Sequence, residues 1–159
     1  MVTMLSARLA LPDLMNAQVL DKSTAWHPVG SAALIRERVE QILRAVESTT
    51  TQHAERRRHK RYPFPHLLTL TPVGNDALTP IAEPMVVVGK DLSVSGLHFY
   101  HRSPLPYRRA IVSFDDLPID IHLLMIASWC RFLRPEWYDS GGKFTHLVTP
   151  GPVGRAALE

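Results

Sequence analysis

Hydrophobic and polar positions change their period near residue 62. Before it the pattern is helical. Ala32, Ile35, Val39, Ile42 and Val46 recur at alternating steps of three and four, a short heptad stripe. Ser31 is placed to cap such a helix, which the pattern predicts to run to about Ala54. Glu40 lies four residues before Arg44, the favourable order for a helical ion pair. The stripe predicts packing of the helix on its own domain. A homo-oligomer formed through helix 31–54 is the alternative reading, for which about two heptads are too few to decide. Farther upstream, Asp13 to Asp21 has the spacing of a short helix, broken by Trp26-His27-Pro28-Val29-Gly30.

After Arg61, Tyr62-Pro63-Phe64-Pro65 cannot continue a helix, because proline lacks the amide donor and restricts the residue before it. Strand-like runs come next, at His66–Thr71, Met85–Leu92, Leu97–His101, Ala110–Asp115, Ile119–Leu133 and Lys143–Thr149. In the third, Leu97 and Phe99 alternate with His98 and Tyr100, the period of a half-buried strand. Turn chemistry separates the runs at Pro72-Val73-Gly74-Asn75-Asp76, Pro104-Leu105-Pro106 and Asp139-Ser140-Gly141-Gly142. Short strands with regular turns and no alternating helices predict an antiparallel barrel, and Ile119–Leu133 is long enough to bend between two of its faces.

At 159 residues the chain holds one domain with an extension, and its 45% hydrophobic content is that of a globular protein. No run approaches the roughly 20 apolar residues of a membrane span, so no membrane insertion is expected. Met1 to Pro12 carries Arg8 inside its apolar run and lacks a small-residue cleavage site, so it does not read as a secretory leader. The single cysteine, Cys130, excludes an intrachain disulfide and fits a reducing cytoplasm.

Charge alters this picture. The formal +3 comes from 18 Lys and Arg against 15 Asp and Glu, but Arg56, Arg57, Arg58, Lys60 and Arg61 crowd five cations into six positions. The rest of the chain is slightly acidic. A concentrated cationic spot on a near-neutral body points to a compact anionic ligand more than to a nucleic-acid face. Arg57 and Arg61 share a side in either a strand or a helix, so both guanidinium groups can converge on one object. Arginine suits a nucleotide: its fork binds phosphate or the guanine O6/N7 edge, and its plane stacks on a base. Taken alone, the run also reads as a solvated helix end.

A second element, Asp91-Leu92-Ser93-Val94-Ser95-Gly96, lies between two strand candidates. Asp91 offers acceptors to the N–H groups of a guanine edge, and Ser93 can donate or accept. Gly96 permits positive φ and close approach of a ligand. Alone, this is an ordinary Ser/Gly hairpin.

Together, Arg-x-x-x-Arg before a barrel-like region and Asp-x-Ser-x-x-Gly between its second and third strands resemble the PilZ domain family, bacterial receptors for cyclic di-GMP. The resemblance covers about residues 55–149, with its specific content in Glu55–Arg61 and Asp91–Phe99. It implies a mainly β chain: a six-stranded antiparallel barrel (55–149) after an N-terminal extension (1–54, helical from about 31), with a short tail (150–159). It further implies a ligand clamped between a flexible N-terminal segment and the barrel. Arg57, Arg61, Asp91, Ser93 and Gly96 match the family's motifs. Arg56 matches a place where some members carry an extra arginine, which implies two stacked ligand molecules. Lys143-Phe144-Thr145-His146-Leu147-Val148 lacks the glycine often found in the family's last strand.

The function expected is therefore a cyclic di-GMP receptor that changes conformation and signals to an effector protein, with no cofactor, no nucleic acid and no catalysis. The alternatives are a nucleic-acid-binding barrel using residues 56–61, or an adaptor binding protein without nucleotide. No Cys/His cluster has zinc spacing, so the eight histidines are read as structural or surface groups. Trp129, Trp137 and Tyr138 are assigned to core and loop packing, and Asp115, Asp116 and Asp120 form no acid/base pair.

Overall fold

The computed structural model describes residues 25–46, 60–75 and 78–151. Its elements are β1 (Trp26–Pro28), α1 (Ala32–Ala45), β2 (Tyr62–Pro63), β3 (Leu67–Pro72), β4 (Met85–Ser93), β5 (Gly96–His101), β6 (Arg109–Ser113), β7 (His122–Arg134) and β8 (Trp137–Pro150). The chain is mainly β. Six antiparallel strands close a barrel in the order β8-β5-β4-β3-β6-β7, with β7 pairing back to β8. Among the described residues, no helix is long and apolar enough to cross a membrane.

Two long strands each serve two partners along one edge. The first half of β4 pairs β3, while Asp91 and Leu92 near its end face Pro63 and Tyr62 of β2. In the same way β8 pairs β5 over Tyr138–Lys143 and β1 over Val148–Pro150. A proline in β2 is tolerated because this two-residue strand is an edge. Phe64 anchors the chain directly after β2: it is fully buried, packs edge-on against Phe114, and its N–H donates to the Lys90 carbonyl at 3.0 Å.

The period-two pattern of β5 is realised. Leu97, Phe99 and His101 are buried while His98 and Tyr100 are half-buried on the outer side. Inward residues from every barrel strand, among them Leu68, Val87, Phe99, Val112, Leu123 and Phe144, form one core with Ile35, Val39 and Ile42 of α1. Burying each such side chain contributes about 1.5–3 kcal/mol, less the cost of ordering it. The heptad stripe thus packs on its own barrel, with Val39 and Ile42 fully buried. Likewise β1 and α1 are built into the barrel's packing.

Several expectations change in detail. The α-helix ends at Ala45, and Ser31 occupies the N-cap with no side-chain bond to the first turn. Residues 47–54, the rest of the expected helix, lie outside the described residues. Glu40 and Arg44 do not pair; on that exposed side Arg38 Nη1 donates to Gln41 Oε1 at 3.1 Å. The run Asp139–Gly142, expected as a turn, lies inside β8. The last strand therefore does contain glycines, Gly141 and Gly142, just before its expected start at Lys143.

The first half of the long β7, through Ile126, pairs both β6 and β8, whereas the rest pairs only β8 and forms an exposed sheet edge, with register shifts at Ala127/Trp129 and Phe132/Arg134. The β7–β8 hairpin closes through Pro135 and Glu136, where Glu136 takes φ 68°.

Candidate functional site

Arg61, the described arginine of the first motif, meets the second motif through local pairing. Since β2 begins one residue after Arg61 and lies beside the end of β4, Arg61 is delivered to Asp91 and Ser93. The next two residues, Val94 and Ser95, turn the chain so that Ser93 pairs with Gly96. Arg61, Asp91, Ser93 and Gly96 line one open cleft of about 460 Å³ on the barrel's outer surface. Arg56 and Arg57 lie outside the described residues.

A β-bulge at Lys90 aims Asp91. Alternation from the inward Val87 and Gly89 would turn residue 91 into the core; the extra residue shifts the phase, so that Leu92 is buried and Asp91 stands outside opposite His98. Asp91 Oδ1 then lies 3.3 Å from His98 Nδ1. Burial holds the His98 imidazole below its ordinary pKa; Asp91 pulls the other way, and the Arg61 and Lys90 charges add to the lowering.

Ser93 and Gly96 do structural work at the cleft. Ser93 Oγ accepts from the N–H groups of Ser95 and Gly96, both at 3.2 Å, and lies 3.0 Å from Ser95 Oγ. Only 6% exposed, Ser93 holds the turn together. Gly96 does not use positive φ, contrary to expectation: no described glycine does. Glycine is required because β8 crosses it, so that a Cβ would stand 2.2 Å from the Gly142 carbonyl oxygen. The close approach is by backbone.

Residues distant in sequence complete the cleft. Lys143 of β8 pairs opposite Gly96, adding a cation beside the turn. Ser128 and Trp129 of β7 form the far wall. Trp129 was assigned to packing, yet it is 37% exposed. Its ring meets His98 edge-to-face at 5.2 Å, and the Arg131 guanidinium lies 5.1 Å from its centroid. Arg131 in turn donates to both oxygens of Asp139, at 3.1 and 2.8 Å. That bonding holds the buried Asp139 carboxyl below its usual range. His98, Trp129 and Lys143 were missed because strand register, which brings them beside Asp91, cannot be read from a local pattern.

A second polar set invites comparison with a catalytic triad. His122 Nδ1 lies 2.8 Å from Ser113 Oγ, and Nε2 lies 2.8 Å from Asp120 Oδ1. Ser113 and His122 are register partners across β6 and β7, and Ser113 is only 5% exposed. Its hydroxyl has no open approach, so the set reads as a cross-strand polar pair.

No protein-family model matches the chain, and no curated protein matches it. Among solved structures, the Bacillus subtilis inhibitor of motility (MotI/DgrA) is similar at a TM-score of 0.43 and 11% identity, over 67% of this chain and 49% of that one. The chain thus spans about half the length of that protein.

Proposed function

We propose that the cleft binds cyclic di-GMP and that the chain is a PilZ-like receptor, cytoplasmic and signalling to an effector protein. One observation carries the reading. Arg61 of the first motif and Asp91, Ser93 and Gly96 of the second line one cleft of about 460 Å³, within the range of small-ligand sites. Its chemistry suits a guanine nucleotide. Arg61 and Lys143 supply charge for phosphate, and Asp91 supplies acceptors for the N–H groups of a guanine edge. Arg57 is the second arginine of the clamp, four residues before Arg61. Arg56 adds the cation that a second stacked ligand molecule needs. Ligand joining residues 56–61 to Asp91 ties the segment before β2 to the barrel, and the response reaches the partner through that segment.

Calorimetric titration of the full chain tests this, with cyclic di-AMP and GTP as controls. Truncating Arg57 or Arg61 to alanine is expected to cost about 2–4 kcal/mol, roughly 30- to 1000-fold in affinity. Undiminished binding in the Arg57→Ala/Arg61→Ala double variant would overturn the assignment. Binding of two ligand molecules in the wild type and one in Arg56→Ala is the expected stoichiometry. Affinity for RNA or DNA that falls steeply with salt and ignores Asp91→Ala would favour the nucleic-acid reading.

A further inference from the structure

Trp129 stands 37% exposed where β7 forms the open edge of the sheet. Trp129 is held from three sides. Its register partner is Gly141, where a Cβ would stand 2.6 Å from Trp129 Nε1 and 2.7 Å from His98 Cδ2, so glycine makes room for both rings. His98 meets the ring edge-to-face, and the Arg131 guanidinium lies over it.

Arg131 is fixed as well. Its two hydrogen bonds go to Asp139, its own register partner and 1% exposed. A buried carboxylate is thus committed to orienting a surface arginine beside an exposed ring. Desolvating that carboxylate is costly, and the return is fixed geometry, an arrangement suited to a preorganised surface.

Trp129, Gly141, His98 and Asp91 form one row across four neighbouring strands, β7, β8, β5 and β4. At about 4.8 Å per strand the row spans about 14 Å from Trp129 to Asp91. A base at one end meets hydrogen-bond acceptors; at the other it meets an exposed indole that carries the Arg131 guanidinium over its ring. Aromatic platforms of this kind hold bases through their faces and indifferently to sequence.

We infer that Trp129 is the platform on which a purine base of the bound nucleotide stacks, with Arg131, pinned by Asp139, as the residue that positions the ring. This rests on the cyclic di-GMP reading and assigns a residue outside both motifs.

Cyclic di-GMP is the probe, followed by calorimetry and by tryptophan emission in wild type and in the Trp129→Ala, Trp129→Phe, Trp137→Phe and Arg131→Ala variants. Ligand is expected to change the emission of wild type and Trp137→Phe but not of Trp129→Phe. Trp129→Ala should lose about 5- to 150-fold in affinity, and Trp129→Phe less. Arg131→Ala should shift the emission of the ligand-free protein and weaken binding less than Trp129→Ala does. A loss under 5-fold in Trp129→Ala, or a ligand-induced change that persists in Trp129→Phe, overturns the platform while leaving the cyclic di-GMP reading intact. Failure of the wild type to bind cyclic di-GMP removes both.

Discussion

Asp91 Oδ1 and His98 Nδ1 stand 3.3 Å apart as register partners on β4 and β5, inside a cleft that also contains Arg61. Asp91 raises the pKa of His98, while Arg61 and Lys90 lower it. The two neighbours therefore have opposite signatures. Asp91→Asn should lower the His98 pKa below its wild-type value, and Arg61→Ala should raise it. Imidazole titration followed by NMR reads both without any ligand. Shifts in the same direction would mean that Arg61 and Asp91 do not flank His98 together.

Gly96→Ala should destabilise the barrel and disturb the cleft at once. The new methyl group would stand 2.2 Å from the Gly142 carbonyl oxygen, a backbone atom with no rotamer to yield. Overpacking of this kind costs about 1–3 kcal/mol, visible as a lower denaturation midpoint in urea at an unchanged slope. An unaltered midpoint would show that β8 does not cross Gly96 this closely.

Much of the barrel was legible because each strand writes its own period. Leu97 and Phe99 declare the inward face of β5, and β3 to β7 fall within a few residues of their expected bounds. The start of β8 was not legible, since Asp139-Ser140-Gly141-Gly142 has the composition of a turn. Those glycines serve neighbours: Gly141 clears Trp129 and His98, and Gly142 clears Met125. The heptad of α1 showed an apolar face without showing what covers it. In the cleft, Asp91 was legible as chemistry but not as geometry. Simple alternation would bury it, and the Lys90 bulge that turns it outward leaves no local signature. Trp129 and Lys143 were beyond reach because they lie 38 and 52 residues after Asp91.

Ile42→Ala should cost about 2–5 kcal/mol, the range for truncating a fully buried aliphatic side chain. Ile42 is 0% exposed and shares a core with Phe64, Phe99 and Phe144. Arg44→Ala, on the exposed side of the same helix, should stay within about 0.5 kcal/mol of wild type. Urea denaturation separates the two. Equal, small effects would mean that α1 sits on the barrel without being part of its core.

Stability should fall as pH drops below about 6.5, because one buried and one half-buried imidazole resist protonation. His101 is 1% exposed, its Nδ1 lies 2.6 Å from the Ser103 carbonyl oxygen and its Nε2 lies 2.7 Å from Ser140 Oγ. In the neutral ring Nδ1–H donates to the carbonyl and Nε2 accepts from the serine hydroxyl. Burial lowers the pKa of His101, outweighing the opposing Ser103 and Asp139 contributions, and burial likewise lowers that of His98. The unfolded chain, with both groups near 6.5, then binds more protons than the native state, so stability is complete above that pH and is lost progressively below it. Thermal midpoints measured at pH 7.5 and 5.5 should differ in that direction. His101→Gln should be less stable throughout but show a shallower decline; an equally steep decline would assign the acid sensitivity to other groups.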